Sequence, residues 1–186
     1  NAVKGVSGAR LVAAAHLGCD PERTRAIMGK TPREYAEELG IALYEDPEEM
    51  VRQEGVEGLC ISGPHTLLPD YCVHAAALGC HFYVAKPMAV NLTGADRIVR
   101  AVEQAGVVAV SGMTERYDPA IRAAWHRIQA GEIGSVIAIR ALHQHGRLNF
   151  HAQDWWNDPE QGGPELSLMW YVADVCRWLA GSEVVR

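Results

Sequence analysis

Lys86 is a residue of this 186-residue sequence that invites chemistry. It follows an apolar run, His81–Ala85 (HFYVA), and precedes Pro87. Proline confines the preceding residue to extended geometry, so the lysine is predicted to project from the carboxyl end of a strand. Weaker solvation there would bring an amine toward the range useful for proton transfer. The plainer alternative is an exposed lysine at a strand end. A second group, Ser167, Tyr171, Asp174 and Trp178, is spaced i, i+4, i+7, i+11 along an otherwise apolar segment, Leu166–Leu179. In a helix these share one stripe. Buried polar groups need partners, so the stripe should face a cavity or a hydrogen-bonded partner; facing a cavity, the Tyr171 hydroxyl and the Asp174 carboxylate would converge on a bound molecule. The alternative is an Asp174–Arg177 surface pair with Tyr171 as ordinary packing.

Further candidates lie at segment ends. Ser62, Gly63, Pro64 and His65 follow another apolar run, Gly58–Ser62 (GLCIS). They would line a crevice at the strand ends, with Gly63 allowing close backbone approach, or they are simply turn residues. Arg116, in TERYDP, stands where the chain leaves the strand–helix pattern. It either reaches a bound cofactor or braces a domain junction. His143 and His145 are two apart on a predicted strand and so point to one face. With His151 and Asp154 they have the residue types of a metal site. A place at a substrate pocket or subunit interface is the favoured reading, and no metal is assigned. Trp155 and Trp156 either stack on a sugar ring or pack.

The elements that must position these groups follow a repeating pattern. Short apolar runs at Leu11–Ala15, Gly58–Ser62, His81–Ala85 and Val107–Ser111 alternate with amphipathic segments. Pro69 can open a helix that Gly79 ends. Asn91 caps the next, with Ala95, Ile98, Val99 and Val102 on one face and Gly106 at its close. Asp118 and Pro119 start another, with Ile121, Ala124, Trp125 and Ile128 facing inward and Gly131 ending it. Strands alternating with helices predict βαβ units and a parallel sheet covered on both faces. After residue 131 the texture changes to a longer strand, Ser135–His145, a polar and aromatic loop, Gly146–Pro164, and the apolar helix. The fold class is therefore α/β: a Rossmann-like doubly wound parallel sheet, its first βα unit missing from the chain, then the start of an α+β domain. The boundaries are 1–118 and 119–186. A chain running from Asn1 to Arg186, just past an apolar stretch, is expected to be part of a longer protein.

Composition narrows the function classes. Apolar residues are 48% and charged residues 22%, which excludes disordered, collagen-like and coiled-coil chains. No apolar run reaches the roughly 18–20 residues of a membrane span, so no membrane partner is expected. A net charge of −6 argues against a broad nucleic-acid surface. Five cysteines without C-x-x-C spacing read as reduced thiols in a cytoplasmic protein.

A doubly wound sheet makes a nucleotide site at the carboxyl ends of its strands the default expectation. Its usual fingerprint, G-x-G-x-x-G, is missing: no two of the 18 glycines are separated by a single residue. The acidic residue expected after the second strand is replaced by His16, which cannot accept two hydroxyl hydrogen bonds as a carboxylate does. Either the glycine loop precedes Asn1 in a longer protein, or the chain binds no dinucleotide.

From about Arg10 to Gly181 the sequence resembles the glucose–fructose oxidoreductase, inositol dehydrogenase and rhizopine catabolism (Gfo/Idh/MocA) family of NAD(P)-dependent dehydrogenases. The residues that carry this are DPERTRA with YAEELGIALYEDPEEM, then VEGLCISGPHTLLPDYCVHAAALGCHFYVAKPMAV, then SGMTERYDPAIRAAWHRIQAGEIGSVIAIR, then GGPELSLMWYVADVCRWLAG. Departures accompany the match. The family's E-K-P is Ala85-Lys86-Pro87, its T-P step is Gly63-Pro64, and its helix motif D-x-G-x-H-x-x-D is Ser167-x-Met169-x-Tyr171-x-x-Asp174. Tyrosine thus stands where the resemblance places a catalytic histidine.

The resemblance implies hydride transfer between NAD or NADP and a sugar, polyol or cyclitol. Lys86, Tyr171 and Asp174 are the implied catalytic group. His16, Ser62, Gly63, Pro64, His65, Lys86, Pro87 and Arg116 are the implied cofactor contacts. With the histidine replaced, Tyr171 or Lys86 is expected to take the hydroxyl proton, the ammonium favouring phenolate. His16 would tolerate a 2′-phosphate better than a carboxylate would. A small-molecule substrate and a homo-oligomer are implied partners. Two other readings stay open: a non-catalytic relative that binds a ligand or partner chain, and an NAD-dependent glycosidase of the same fold.

Overall fold

The computed structural model describes residues 5–18, 20–143 and 158–185. The strands are β1 (Ala13–Ala15), β2 (Ala42–Tyr44), β3 (Gly58–Ile61), β4 (His81–Val84) and β5 (Ala109–Ser111). The helices are α1 (Pro21–Met28), α2 (Pro32–Leu39), α3 (Pro47–Glu54), α4 (Leu68–Ala77), α5 (Leu92–Ala105), α6 (Pro119–Gln129) and α7 (Gly163–Ala180).

Local sequence sets the helix starts. Asp20, Thr31, Asp46 and Asp118 each precede a proline and each accept a hydrogen bond from a first-turn N–H. The side-chain oxygen satisfies a donor that the helix cannot, and proline at the next position has no N–H to strand. Thr31 and Glu34 close a reciprocal capping box on α2. Asn91 caps α5 by accepting from Gly94 N at 2.8 Å, as its residue type predicts.

Two parallel sheets result, β1–β2 and β3–β4–β5. In the larger one Cys60 pairs with Tyr83, and Tyr83 with Val110. Phe82 and Val84 on the central strand point into a core with Leu68, Cys72, Ala75, Ala76 and Ile98 from α4 and α5. This arrangement brings the residues after β3, β4 and β5 to one rim, which is where the candidate site lies.

Several expectations are corrected. The strands do not join in one ladder: among the described residues no hydrogen-bonded strand links β1 to β3. Val99 of α5 is exposed while Ile98 is buried, because α4 covers only the Ile98 side of that helix. Ala124 of α6 is likewise exposed. The predicted strand Ser135–His145 is not seen over residues 135–143, where Ile137 is 97% exposed. A strand exists only through hydrogen bonds to a neighbour, and no described strand pairs with these residues. His145 lies outside the described residues. No helix among the described residues is long and apolar enough to cross a membrane.

Candidate active site

Lys86 directly follows Ala85 at the end of β4, and the Lys86–Pro87 peptide bond is cis. Pro87 is fully buried, which anchors the backbone beneath the lysine. The Lys86 ammonium nitrogen lies 4.4 Å from the centre of the Tyr171 ring on α7. Such a cation over an aromatic face gains electrostatic attraction from the ring quadrupole. The Lys86 ammonium and the Tyr171 ring, far apart in the chain, therefore lie against each other.

Asp174, one turn further along α7, is buried. Its two carboxylate oxygens accept hydrogen bonds from Arg116, Oδ2 from Nε at 2.7 Å and Oδ1 from Nη2 at 2.6 Å. This two-point pairing is the strongest geometry an arginine offers a carboxylate. The hydrogen bonds to Asp174 raise the Arg116 guanidinium above its ordinary range. The sequence alternative of an Asp174–Arg177 pair is overturned, because Arg177 turns instead to Glu183. The Arg116 guanidinium also sits 5.6 Å from the Trp178 ring, and Trp178 stacks on Trp125 of α6 at 5.3 Å. The polar stripe of α7 is thus realised at Tyr171, Asp174 and Trp178, but Asp174 is committed to a brace. The Ser167 side chain lies outside the described residues.

The rim after β3 makes a second junction. His65 is buried, with Nδ1 2.8 Å from the Gln161 carbonyl oxygen. The Gln161 side chain accepts from Thr66 N at 3.2 Å and donates to Thr66 Oγ1 at 2.9 Å. His65 therefore ties the rim to the turn before α7, where the sequence suggested a crevice contact. Gln161 has no sequence signal at all, since its partners lie 95 positions away or more. Ser62 and Pro64 are exposed beside it.

One further contact was not legible as such. The His143 ring stacks on Tyr171, centroids 5.1 Å apart and planes 22° from parallel. Among the described residues no group of three or more His, Cys, Asp or Glu side chains could hold a metal. His145, His151, Asp154, Trp155 and Trp156 lie outside the described residues.

The strand ends offer features suited to a dinucleotide. His16 Nε2, directly after β1, and Ser111 Oγ, ending β5, are buried without a hydrogen-bond partner among the described residues. A Cβ on Gly63 would come within 3.3 Å of Tyr71, and one on Gly112 within 3.0 Å of the Tyr83 phenol carbon. The two glycines thus make room for tyrosine side chains of the protein itself, and the feature that suits a polar ligand at the carboxyl ends of the parallel strands is the pair of orphaned polar atoms.

A family model described as oxidoreductase family, NAD-binding Rossmann fold (GFO_IDH_MocA) matches residues 4–113. The chain belongs to the Gfo/Idh/MocA oxidoreductase family. The C-terminal domain model of that family matches residues 121–186. A scyllo-inositol 2-dehydrogenase (NAD(+)) from Bacillus subtilis is 30% identical over 190 residues, covering 99% of this chain and 50% of its own. A 2,7-anhydro-N-acetylneuraminate hydratase from Mediterraneibacter gnavus is 26% identical, covering 96% of this chain and 45% of its own. The crystal structure of myo-inositol 2-dehydrogenase from Lactobacillus plantarum shares the fold with a TM-score of 0.80 at 22% identity, over 96% of this chain and 51% of that one. The chain spans about half the length of the curated relatives it matches. In this family member the expected α/β parallel architecture of a Rossmann fold is present, with Lys86 after a strand end and the Tyr171 ring of α7 against it.

Proposed function

We propose that the protein is an NAD(P)-dependent oxidoreductase acting on a hydroxyl-bearing carbon of a cyclitol, polyol or sugar, or on the corresponding carbonyl. The observation that carries this reading is the meeting of Lys86 and Tyr171 at the carboxyl end of β4. Relatives named as inositol dehydrogenases support the substrate class. His16, Ser62, Gly63, Pro64 and Pro87 would line the dinucleotide, with His65 and Arg116 holding the rim and α7 in place around it.

A bound nicotinamide would supply the hydride acceptor or donor. The chain's own residues supply the rest. Lys86 hydrogen-bonds the reacting oxygen and stabilises the negative charge that grows there. Tyr171 keeps that ammonium in place through its ring face and offers its hydroxyl to the substrate. Asp174 acts through Arg116 as a positioning residue, fixing the helix that carries Tyr171. This revises the expectation that its carboxylate meets substrate. The two matched segments are proposed to divide the work at residues 118/119, the first for cofactor and the second for substrate and assembly.

A cytoplasmic homo-oligomer is the accompanying proposal. It is supported by cysteine usage and by the exposure of Ile137 and Leu142 in the segment after α6. A second reading, redox-assisted addition or elimination at a sugar carbon, is favoured by the hydratase relative. The test is a panel of inositols, polyols and sugars incubated with NAD+ or NADP+, read at the absorbance of the reduced nicotinamide. Turnover of a cyclitol or polyol that falls by about 10²-fold or more in Lys86→Ala is expected. Unchanged turnover in Lys86→Ala would remove the proposal. Conversion of a glycoside or anhydro sugar without net reduced nicotinamide would favour the second reading.

A further inference from the structure

We propose that the cavity between the start of α5 and α7 binds a small, uncharged, largely apolar molecule that carries a hydrogen-bond acceptor. The cavity measures about 420 Å³. Its walls are Met88 and Val90 from the stretch after β4, Leu92 from α5, Met113 from the stretch after β5, and Leu166 and Trp170 from α7. Among the described residues neither Lys86 nor Tyr171 lines it, so it is a different hollow from the candidate active site. The spacing on α7 explains the separation. Leu166 and Trp170 stand four apart and share one face, while Tyr171, Asp174 and Trp178 occupy another.

Size, charge and one orphaned donor define the occupant. Small-molecule pockets span about 300–1,000 Å³, and an engineered apolar cavity of about 150 Å³ already houses benzene, so a two-ring molecule fits here. Met88 and Met113 are flexible and polarizable, which lets the walls adjust to a ring. No charged side chain lines the cavity among the described residues, so an ion entering it would lose its hydration without a partner. Leu92 is exposed, which gives a neutral molecule a way in from solvent. Trp170 Nε1 is buried without a hydrogen-bond partner among the described residues. A buried indole N–H normally has one. The other polar side chain of the lining, Asn91, has its Oδ1 committed to Gly94 N at 2.8 Å. An ordered water needs about two to four polar partners, more than these side chains offer beside Trp170. An acceptor atom on an otherwise apolar molecule suits the site better, because it pairs the indole N–H while the rings cover the surrounding apolar side chains.

The test uses the full protein and two probes of matched shape: coumarin, whose lactone carbonyl is an acceptor, and naphthalene, which has none. Binding is followed by proton–nitrogen NMR of the indole N–H groups, with the Trp170 signal assigned by its loss in Trp170→Phe. Coumarin is expected to bind saturably and to move the Trp170 N–H signal downfield, and naphthalene to bind without that downfield movement. Trp170→Phe should weaken coumarin about five-fold, the worth of one neutral hydrogen bond, and leave naphthalene nearly unchanged. Ala95→Phe, which puts a ring into the cavity, should abolish binding of both while the circular dichroism spectrum is kept. If Ala95→Phe does not fold, the Trp170→Phe comparison decides alone. No saturable binding of coumarin to the wild-type protein overturns the proposal, and so does coumarin affinity unchanged in Trp170→Phe. No arm reads turnover, so the result is independent of the dehydrogenase reading.

Discussion

Arg116 grips Asp174 across 58 positions of sequence with two hydrogen bonds of 2.7 and 2.6 Å. One partner follows β5, the other sits on α7, so the pair joins the strand–helix half of the chain to the helix that carries Tyr171. Asp174 is buried and the Arg116 side chain is 41% exposed, which places the pair between surface and interior ion pairs. Removing either partner should cost about 2–3 kcal/mol, between the exposed and buried limits. The double variant Arg116→Ala/Asp174→Ala should lose less than the sum of the singles, because the second removal no longer strands a charge. Denaturant titration of the four proteins measures this, and strict additivity would show that the two groups are not coupled.

Much of this arrangement was readable from residue types, and the missing parts have physical causes. Lys86 and the Tyr171–Asp174 stripe were found because Pro87 and helical spacing are local constraints. The Asp118-Pro119 and Asn91 helix starts are local in the same sense. Arg116–Asp174, His65–Gln161 and His143–Tyr171 are contacts between distant segments, and no pattern within a short window encodes which distant partner a polar group finds. Residues 135–143 alternate like a strand, yet pairing depends on a neighbour that the window does not contain. Asp174 was read as facing a ligand for the same reason, since a polar stripe demands a partner without saying which one.

Acid should loosen α2 through Glu34. The Thr31 backbone N–H donates to its carboxylate at 2.7 Å, and this bond, with Arg25 nearby, lowers Glu34 below the usual carboxylate range. A group depressed in the folded state contributes stability above its unfolded value, and that contribution is lost as pH falls through the lower folded value. The melting temperature should therefore drop on acidification below the ordinary carboxylate range. Glu34→Gln can still close the capping box but cannot titrate, so its acid loss should be smaller. Equal acid slopes for the two proteins, followed by circular dichroism, would contradict this.

The thiols should separate by reactivity. Cys72 is fully buried on α4, and burial pushes its thiol up to about 12. Cys80 is also buried, raised by the same cause, and donates its thiol hydrogen to the Val56 carbonyl. Cys60 on β3 is exposed. Since thiolate is the nucleophile, alkylation of the folded protein at mildly alkaline pH should modify Cys60 at least about ten-fold faster than Cys72 or Cys80. Peptide mapping by mass spectrometry reads the order. Early modification of Cys72 without unfolding would mean that α4 opens locally.

His16 should set the cofactor preference. It follows β1, its backbone N–H donates to the Tyr44 carbonyl at 2.9 Å, and its Nε2 is buried without a partner among the described residues. In doubly wound sheets the end of this strand meets the adenosine ribose, where a carboxylate takes both hydroxyls and repels a 2′-phosphate. An imidazole does neither. His16→Asp should therefore tighten NAD+ binding relative to NADP+. A unit charge pair at 4 Å is worth about 1 kcal/mol in water and about 4 kcal/mol near a protein surface, so the preference should move by about ten-fold or more. Dissociation constants for both dinucleotides, from fluorescence quenching of wild type and His16→Asp, give the ratio directly. A ratio unmoved by the substitution would place the ribose elsewhere and leave the orphaned His16 imidazole nitrogen after β1 without this role.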